Sequence, residues 1–153
     1  MCGPACKLYY WSSGDARKIQ ANPPNPTKTR LLDGLKDPDP FPPWLNEADL
    51  DYCTEQLRRS GLRGPLNRYR NSARDFADLA PFADAKIIQP AAFLAGSLEP
   101  VLGMVPGLDM VELMRTKVAD LRYVKIFDGA GHWLQQERPA EVNAALLEFL
   151  GTL

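Results

Sequence analysis

Residues 86–150 constrain the chain most, because they read as strand, loop, helix, strand, loop, helix. Lys86-Ile87-Ile88-Gln89-Pro90-Ala91-Ala92-Phe93-Leu94-Ala95-Gly96 reads as an approach followed by a short buried strand. A loop with Gly103, Pro106 and Gly107 follows, then a helical stretch over 109–120 with Met110, Leu113, Met114 and Val118 partly on one face. Arg122-Tyr123-Val124-Lys125-Ile126-Phe127 alternates polar and apolar residues and predicts the second strand. Residues 139–150 predict a helix: Pro139 suits the first helical position, and Val142, Ala145, Leu146, Phe149 and Leu150 recur at helical spacing up to Gly151. This alternation is the grammar of a parallel sheet. Two strands cannot complete such a sheet, since sheets average about five to six strands. The chain therefore reads as the end of a larger fold.

The first half differs. Eight of the 14 prolines lie within residues 1–43, so residues 21–43 are expected to be irregular. A loop of that length often marks a lid or linker. Leu8, Tyr9, Tyr10 and Trp11 fit a short helix ending by Gly14. Residues 46–60 predict a helix with Asn46 as N-cap, Asp49 at the capping-box position, Leu45 and Leu50 as a hydrophobic staple, and Gly61 as the stop. Cys53 falls on its apolar stripe with Leu50 and Leu57 and is expected to be buried. Residues 65–80 predict a further helix stopped before Pro81. The expected division is a helical, Pro-rich portion over 1–85 and an α/β portion over 86–153.

Composition excludes several functions. Net charge is −1, with Lys and Arg scattered, which argues against nucleic acid or an anionic membrane surface. No apolar run approaches the ~18–20 residues of a membrane span. The start lacks a basic segment followed by an apolar one, so no signal peptide is read and a cytoplasmic location is expected. The three cysteines, Cys2, Cys6 and Cys53, do not make a disulfide framework. With His132 the only imidazole, they give no metal site either.

In a parallel sheet, the loops after the strand C-termini share one edge, where ligands bind. One such loop carries Glu99 and the other His132. An imidazole on a loop suits acid–base work, and a neighbouring carboxylate can hold its tautomer. A lone histidine is also a common structural residue, and Glu99 is one of 19 acidic residues. Spacing alone leaves both readings open.

The motifs decide further. Gly129-Ala130-Gly131-His132-Trp133-Leu134-Gln135-Gln136-Glu137-Arg138-Pro139-Ala140-Glu141-Val142-Asn143 resembles the catalytic-histidine segment of epoxide hydrolases of the α/β-hydrolase superfamily. Ala95-Gly96-Ser97-Leu98-Glu99-Pro100-Val101 resembles their acid loop, and Ser60 through Asn71 resembles the cap segment that carries a catalytic tyrosine. The resemblance runs from about Leu8 to the C-terminus. It implies a partial α/β-hydrolase fold, a helical cap followed by the last two strands and helices of a mostly parallel sheet.

In that family an aspartate attacks the epoxide carbon, cap tyrosines hold the epoxide oxygen, and histidine activates water to hydrolyse the resulting ester. The resemblance assigns His132 as general base, Glu99 as the acid that orients it and Tyr69 as a cap tyrosine. It implies a small apolar epoxide and water as substrates, and no cofactor or metal. Val101, Leu102 and Trp133 flank the two loops and are candidates to line an apolar pocket, or to pack. Glu99 stands where the family usually has aspartate, and Arg68 where tryptophan often precedes the tyrosine. No Gly-x-Asp-x-Gly or Gly-x-Ser-x-Gly elbow occurs in the sequence, so no nucleophile is assigned and the chain alone is expected to be inactive. Two rival readings follow. One is a non-catalytic binding module or split subunit, completed by an N-terminal half or by a second copy. The other is a related enzyme such as a haloalkane dehalogenase.

Overall fold

Residues 87–127 form a parallel β-α-β unit, and the rest of the described chain is helix and loop around it. The computed structural model describes residues 10–19 and 38–153. The expectations for Cys2, Cys6, Leu8 and Tyr9 and for residues 21–37 of the irregular stretch lie outside those residues, while residues 38–43 of that stretch carry no helix or strand. In chain order the helices are α1 (Gly14–Ile19), α2 (Glu47–Ser60), α3 (Arg63–Arg70) and α4 (Ser72–Leu79), followed by a 3-10 turn at Ala80–Phe82. Then come β1 (Ile87–Gly96), a 3-10 turn at Pro100–Gly103, α5 (Met110–Lys117), β2 (Val118–Phe127), α6 (Leu134–Glu137) and α7 (Pro139–Leu150).

The local signals act as expected at α2. Asn46 Oδ1 accepts from the Asp49 N–H at 3.0 Å, and Asp49 Oδ2 accepts from the Asn46 N–H at 3.3 Å. This closes a capping box and satisfies two donors at the helix start. Leu45, just before the cap, is buried. Gly61 ends α2 at φ 70°, its N–H donating to the Leu57 carbonyl at 2.8 Å.

Burial in this region departs from expectation. Helices α2, α3 and α4 contain no buried residue, and Cys53 is exposed rather than buried. Helical spacing reports only which face is apolar. Burial needs a second element against that face, and the cover is partial: Leu50 and Leu57 are half-buried while Cys53 is exposed. The helix expected over 65–80 begins earlier, at Arg63, and breaks at Asn71. Tyr10 and Trp11 are helical and a turn follows at Ser12, so the predicted stop before Gly14 holds; α1, which starts at Gly14, was not anticipated. Ser13 begins it: its buried Oγ accepts from the Ala16 N–H at 3.2 Å. The Trp44 indole then donates to Asp15 Oδ2 at 3.0 Å, tying α1 to the residues that lead into α2.

The strands pair in parallel, from Ile87 opposite Val118 to Gly96 opposite Phe127. Pro90 has no N–H to donate, and the register is irregular on both sides of it. Helix α5 starts at Asp109, whose Oδ1 accepts from the Val111 and Glu112 N–H groups at 2.8 and 3.1 Å. It ends at Lys117, and β2 starts at once, four residues before the predicted strand. Val118, Ala119 and Asp120, read from the sequence as the end of the helix, join the strand instead, together with Leu121. The ladder with β1, and burial of the β-branched Val118, decide their conformation.

The core lies directly beneath the loop after β2. Phe127, Ala130, Leu134, Val142 and Ala145 form its buried cluster, with Leu94 and Tyr123 packed against it. On α7 only Val142 and Ala145 are buried, while Leu146 and Leu150 of the predicted stripe stay exposed. The Tyr123 hydroxyl donates to Glu148 Oε2 at 2.6 Å and fastens β2 to α7. That bond, with desolvation and the Glu148 charge adding to it, raises the Tyr123 pKa above its usual 10.0. The protonated phenol is the donor, so the contribution is complete below about pH 10 and is lost as pH rises through the raised folded value. The thermal midpoint should therefore fall more steeply above about pH 10 in the native chain than in Tyr123→Phe. Equal alkaline slopes in the two proteins would count against the contact.

Candidate active site

The loops after β1 and β2 are stitched together by backbone bonds. Ser97 N–H donates to the Phe127 carbonyl at 2.9 Å, and Leu98 N–H to the Ala130 carbonyl at 2.9 Å. The Ser97 hydroxyl accepts from Gly129 N–H at 2.9 Å and donates to Asp128 Oδ1 at 3.3 Å. The two loops therefore form one unit at the C-terminal edge of the sheet, where the topology places a ligand site.

On this unit Glu99 and His132 meet. Glu99 Oε2 lies 2.8 Å from His132 Nδ1. Its other oxygen, Oε1, accepts from the Val101 N–H at 3.0 Å, so the carboxylate is aimed by the start of the 3-10 turn. Glu99 is the more sheltered partner, with 14% of its side chain exposed against 44% for His132. A carboxylate only accepts, so in the neutral imidazole Nδ1 carries the hydrogen. Nε2 is then the lone-pair nitrogen, free to take a proton from water. The Trp133 ring stands edge-on to the imidazole, with centroids 4.9 Å apart at 78°.

A third segment supports the histidine. The His132 N–H donates to the Ser12 carbonyl at 2.9 Å. Backbones approach so closely here that a Cβ on Gly131 would collide with the Gly14 nitrogen and the Ser13 carbonyl carbon. Only glycine permits that contact. The Glu137 carboxylate accepts from the N–H groups of Gly14 and Gly131, each at 2.9 Å, and of Trp133 at 3.1 Å. Ser12, Ser97 and Glu137 were not singled out in the sequence. Ser12 and Ser97 act across distant chain, and Glu137 joins Gly14, 123 positions away, to its near neighbours Gly131 and Trp133; local patterning does not report the long-range contacts.

Of the residues singled out, Glu99 and His132 meet directly. Val101 and Leu102 line the same cavity as that pair, a space of about 410 Å³. Trp133 contacts the imidazole instead of lining the cavity. Tyr69 lies on α3, 76% exposed and outside the cavity lining. Among the described residues no group of His, Cys, Asp and Glu side chains is arranged to hold a metal ion, and no helix is long and apolar enough to cross a membrane.

A parallel β-α-β unit with paired acid and histidine loops is part of an α/β-hydrolase fold. Within that superfamily the chain resembles the epoxide hydrolases, and it corresponds to only part of the full-length enzyme. It is 40% identical over 120 residues to epoxide hydrolase A of Mycobacterium tuberculosis, a match covering 78% of this chain and 36% of that protein. An epoxide hydrolase structure from an endophytic Streptomyces superimposes with a TM-score of 0.83 at 37% identity, over 97% of this chain and 45% of that one. Epoxide hydrolase A from Mycobacterium thermoresistibile gives 0.76, also at 37% identity, over 95% of this chain and 44% of that one. The chain thus spans less than half the length of each of these relatives. No family model matches the chain.

Proposed function

We propose that this chain supplies the water-activating base, its orienting acid and part of the lid of an epoxide hydrolase. The observation that carries the reading is the 2.8 Å contact between Glu99 and His132 Nδ1, which leaves Nε2 available. In the proposed cycle an aspartate from another segment attacks an epoxide carbon and opens the ring, giving an alkyl-enzyme ester. Tyr69, from a lid formed by residues 1–85, donates a hydrogen bond to the developing alkoxide. His132 Nε2 then takes a proton from water. The resulting hydroxide attacks the ester carbonyl and the ester C–O bond breaks. The His132 proton passes to the oxygen released, and the second proton of the water, left on the aspartic acid, passes to the alkoxide held by Tyr69, so the diol leaves and the aspartate is restored.

A split arrangement, with the nucleophile on a separate segment, is favoured by the shape of the cavity. Phe93, Leu94, Ala95 and Gly96 all border it. Consecutive strand residues point to opposite faces, so a space touching all four runs along the strand edge. A slot of this kind suits a further strand. The exposed Tyr69, Phe76 and Leu79 on α3 and α4 likewise lack the cover that a larger fold would give.

The test is co-expression with an N-terminal segment that bears a Gly-x-Asp-x-Gly elbow. Co-elution on size exclusion and diol formation from an aryl epoxide by the pair alone are expected. Diol formation by the 153-residue chain alone, abolished in His132→Ala, would overturn the assignment of the nucleophile to another segment.

A further inference from the structure

We infer that Glu137 is a positioning residue for His132, acting through the peptide units on both sides of it. The inference rests on the reading of His132 as the base. Three consecutive backbone donors surround the histidine, and each has a fixed acceptor. Gly131 N–H goes to Glu137 Oε2 at 2.9 Å, His132 N–H to the Ser12 carbonyl at 2.9 Å, and Trp133 N–H to Glu137 Oε1 at 3.1 Å. One carboxylate thus holds the residues before and after His132. Its Oε2 also takes the Gly14 N–H at 2.9 Å, which brings the Ser12–Gly14 turn against the loop and presents the Ser12 carbonyl.

Charge-assisted bonds from backbone N–H groups to a carboxylate are among the stronger ones available. A neutral side chain at 137 could not replace three of them. The consequence falls on the imidazole. The His132 side chain is partly exposed, and Glu99 meets its Nδ1. Its reach to Glu99 is therefore set by where its own backbone sits, and Glu137 sets that. Glu137 closes α6 one residue before Arg138, and Pro139 starts α7, so the carboxylate is carried on a segment anchored by the buried Leu134 and Val142.

His132 is the only histidine, so the imidazole nitrogens of the whole chain give one set of long-range 1H–15N signals. In the native chain with the imidazole neutral, the Nδ1–H tautomer should dominate. In Glu137→Ala the preference should fall roughly three- to tenfold, the effect of losing hydrogen bonds of this kind. Glu137→Gln keeps the shape and one carbonyl acceptor, and should fall between the two. If the alanine variant does not fold, the glutamine variant carries the test. Tyr123→Phe, which weakens the β2–α7 contact without touching the loop, should leave the tautomer ratio unchanged. A folded Glu137→Gln with the native tautomer ratio would overturn the inference. A native chain with no Nδ1–H preference would instead overturn the Glu99–His132 pairing on which the proposed function stands.

Discussion

Epoxide hydrolysis by the enzyme assembled from this chain and an aspartate-bearing segment is expected to fall by roughly 10²–10⁴-fold in His132→Ala, the range a positioned general base contributes. The loss should be specific to one half of the cycle. Attack of the aspartate on the epoxide needs no proton from His132, whereas hydrolysis of the ester needs its Nε2. The alkylated enzyme should therefore accumulate, and intact-mass measurement should find the nucleophile segment heavier by one epoxide. Glu99→Gln should give the same signature in weaker form. The amide can still meet Nδ1, but it neither fixes the tautomer as firmly nor stabilises the imidazolium that forms. Full turnover in His132→Ala, or lost turnover without a trapped adduct, would remove His132 from the role of water-activating base.

The sequence made parts of this legible for a physical reason. Capping and turn chemistry are local, so Asn46, Asp49, Gly61 and Pro139 could be read where they stand. The parallel pairing of β1 and β2 followed from the order of the elements, since two strands joined through a helix have few other ways to meet. The acid–histidine contact was anticipated because strand-end loops of a parallel sheet share an edge, and the motif resemblance named the partners.

What escaped was whatever depends on distant chain. The boundary between α5 and β2 at Lys117–Val118 is decided by the ladder with β1, not by residues 118–121 themselves. The stripe on α2 is apolar as read, yet Cys53 is exposed while Leu50 and Leu57 are half-buried, because burial depends on how far other elements cover the face. Glu137 is the sharpest case. In sequence it is an acidic residue two positions before a proline. Gly131 and Trp133 are its near neighbours, but only the fold brings the Gly14 N–H, 123 positions away, to the same carboxylate.

A second large effect is expected from a single methyl group. In Gly96→Ala the new Cβ would strike the Ala130 carbonyl, with the Gly131 oxygen also within 2.7 Å. These are backbone atoms at the seam of the loops that carry Glu99 and His132, and they cannot swing aside as a side chain can. Ala130 is wholly buried and its carbonyl accepts the Leu98 N–H, so any retreat breaks that bond and disturbs the core cluster below. The cost should reach roughly 3 kcal/mol or more, the upper end of overpacking effects. Gly64→Ala provides the contrast. Gly64 lies in α3 with nothing near its missing Cβ, and alanine there should stabilise by up to about 1 kcal/mol through helix propensity. Urea unfolding of the two variants beside the native chain measures the difference directly. The same glycine-to-alanine change should move the midpoint in opposite directions. A Gly96→Ala protein as stable as the native chain would show that the two loops do not approach as closely as the Gly96–Ala130 contact requires.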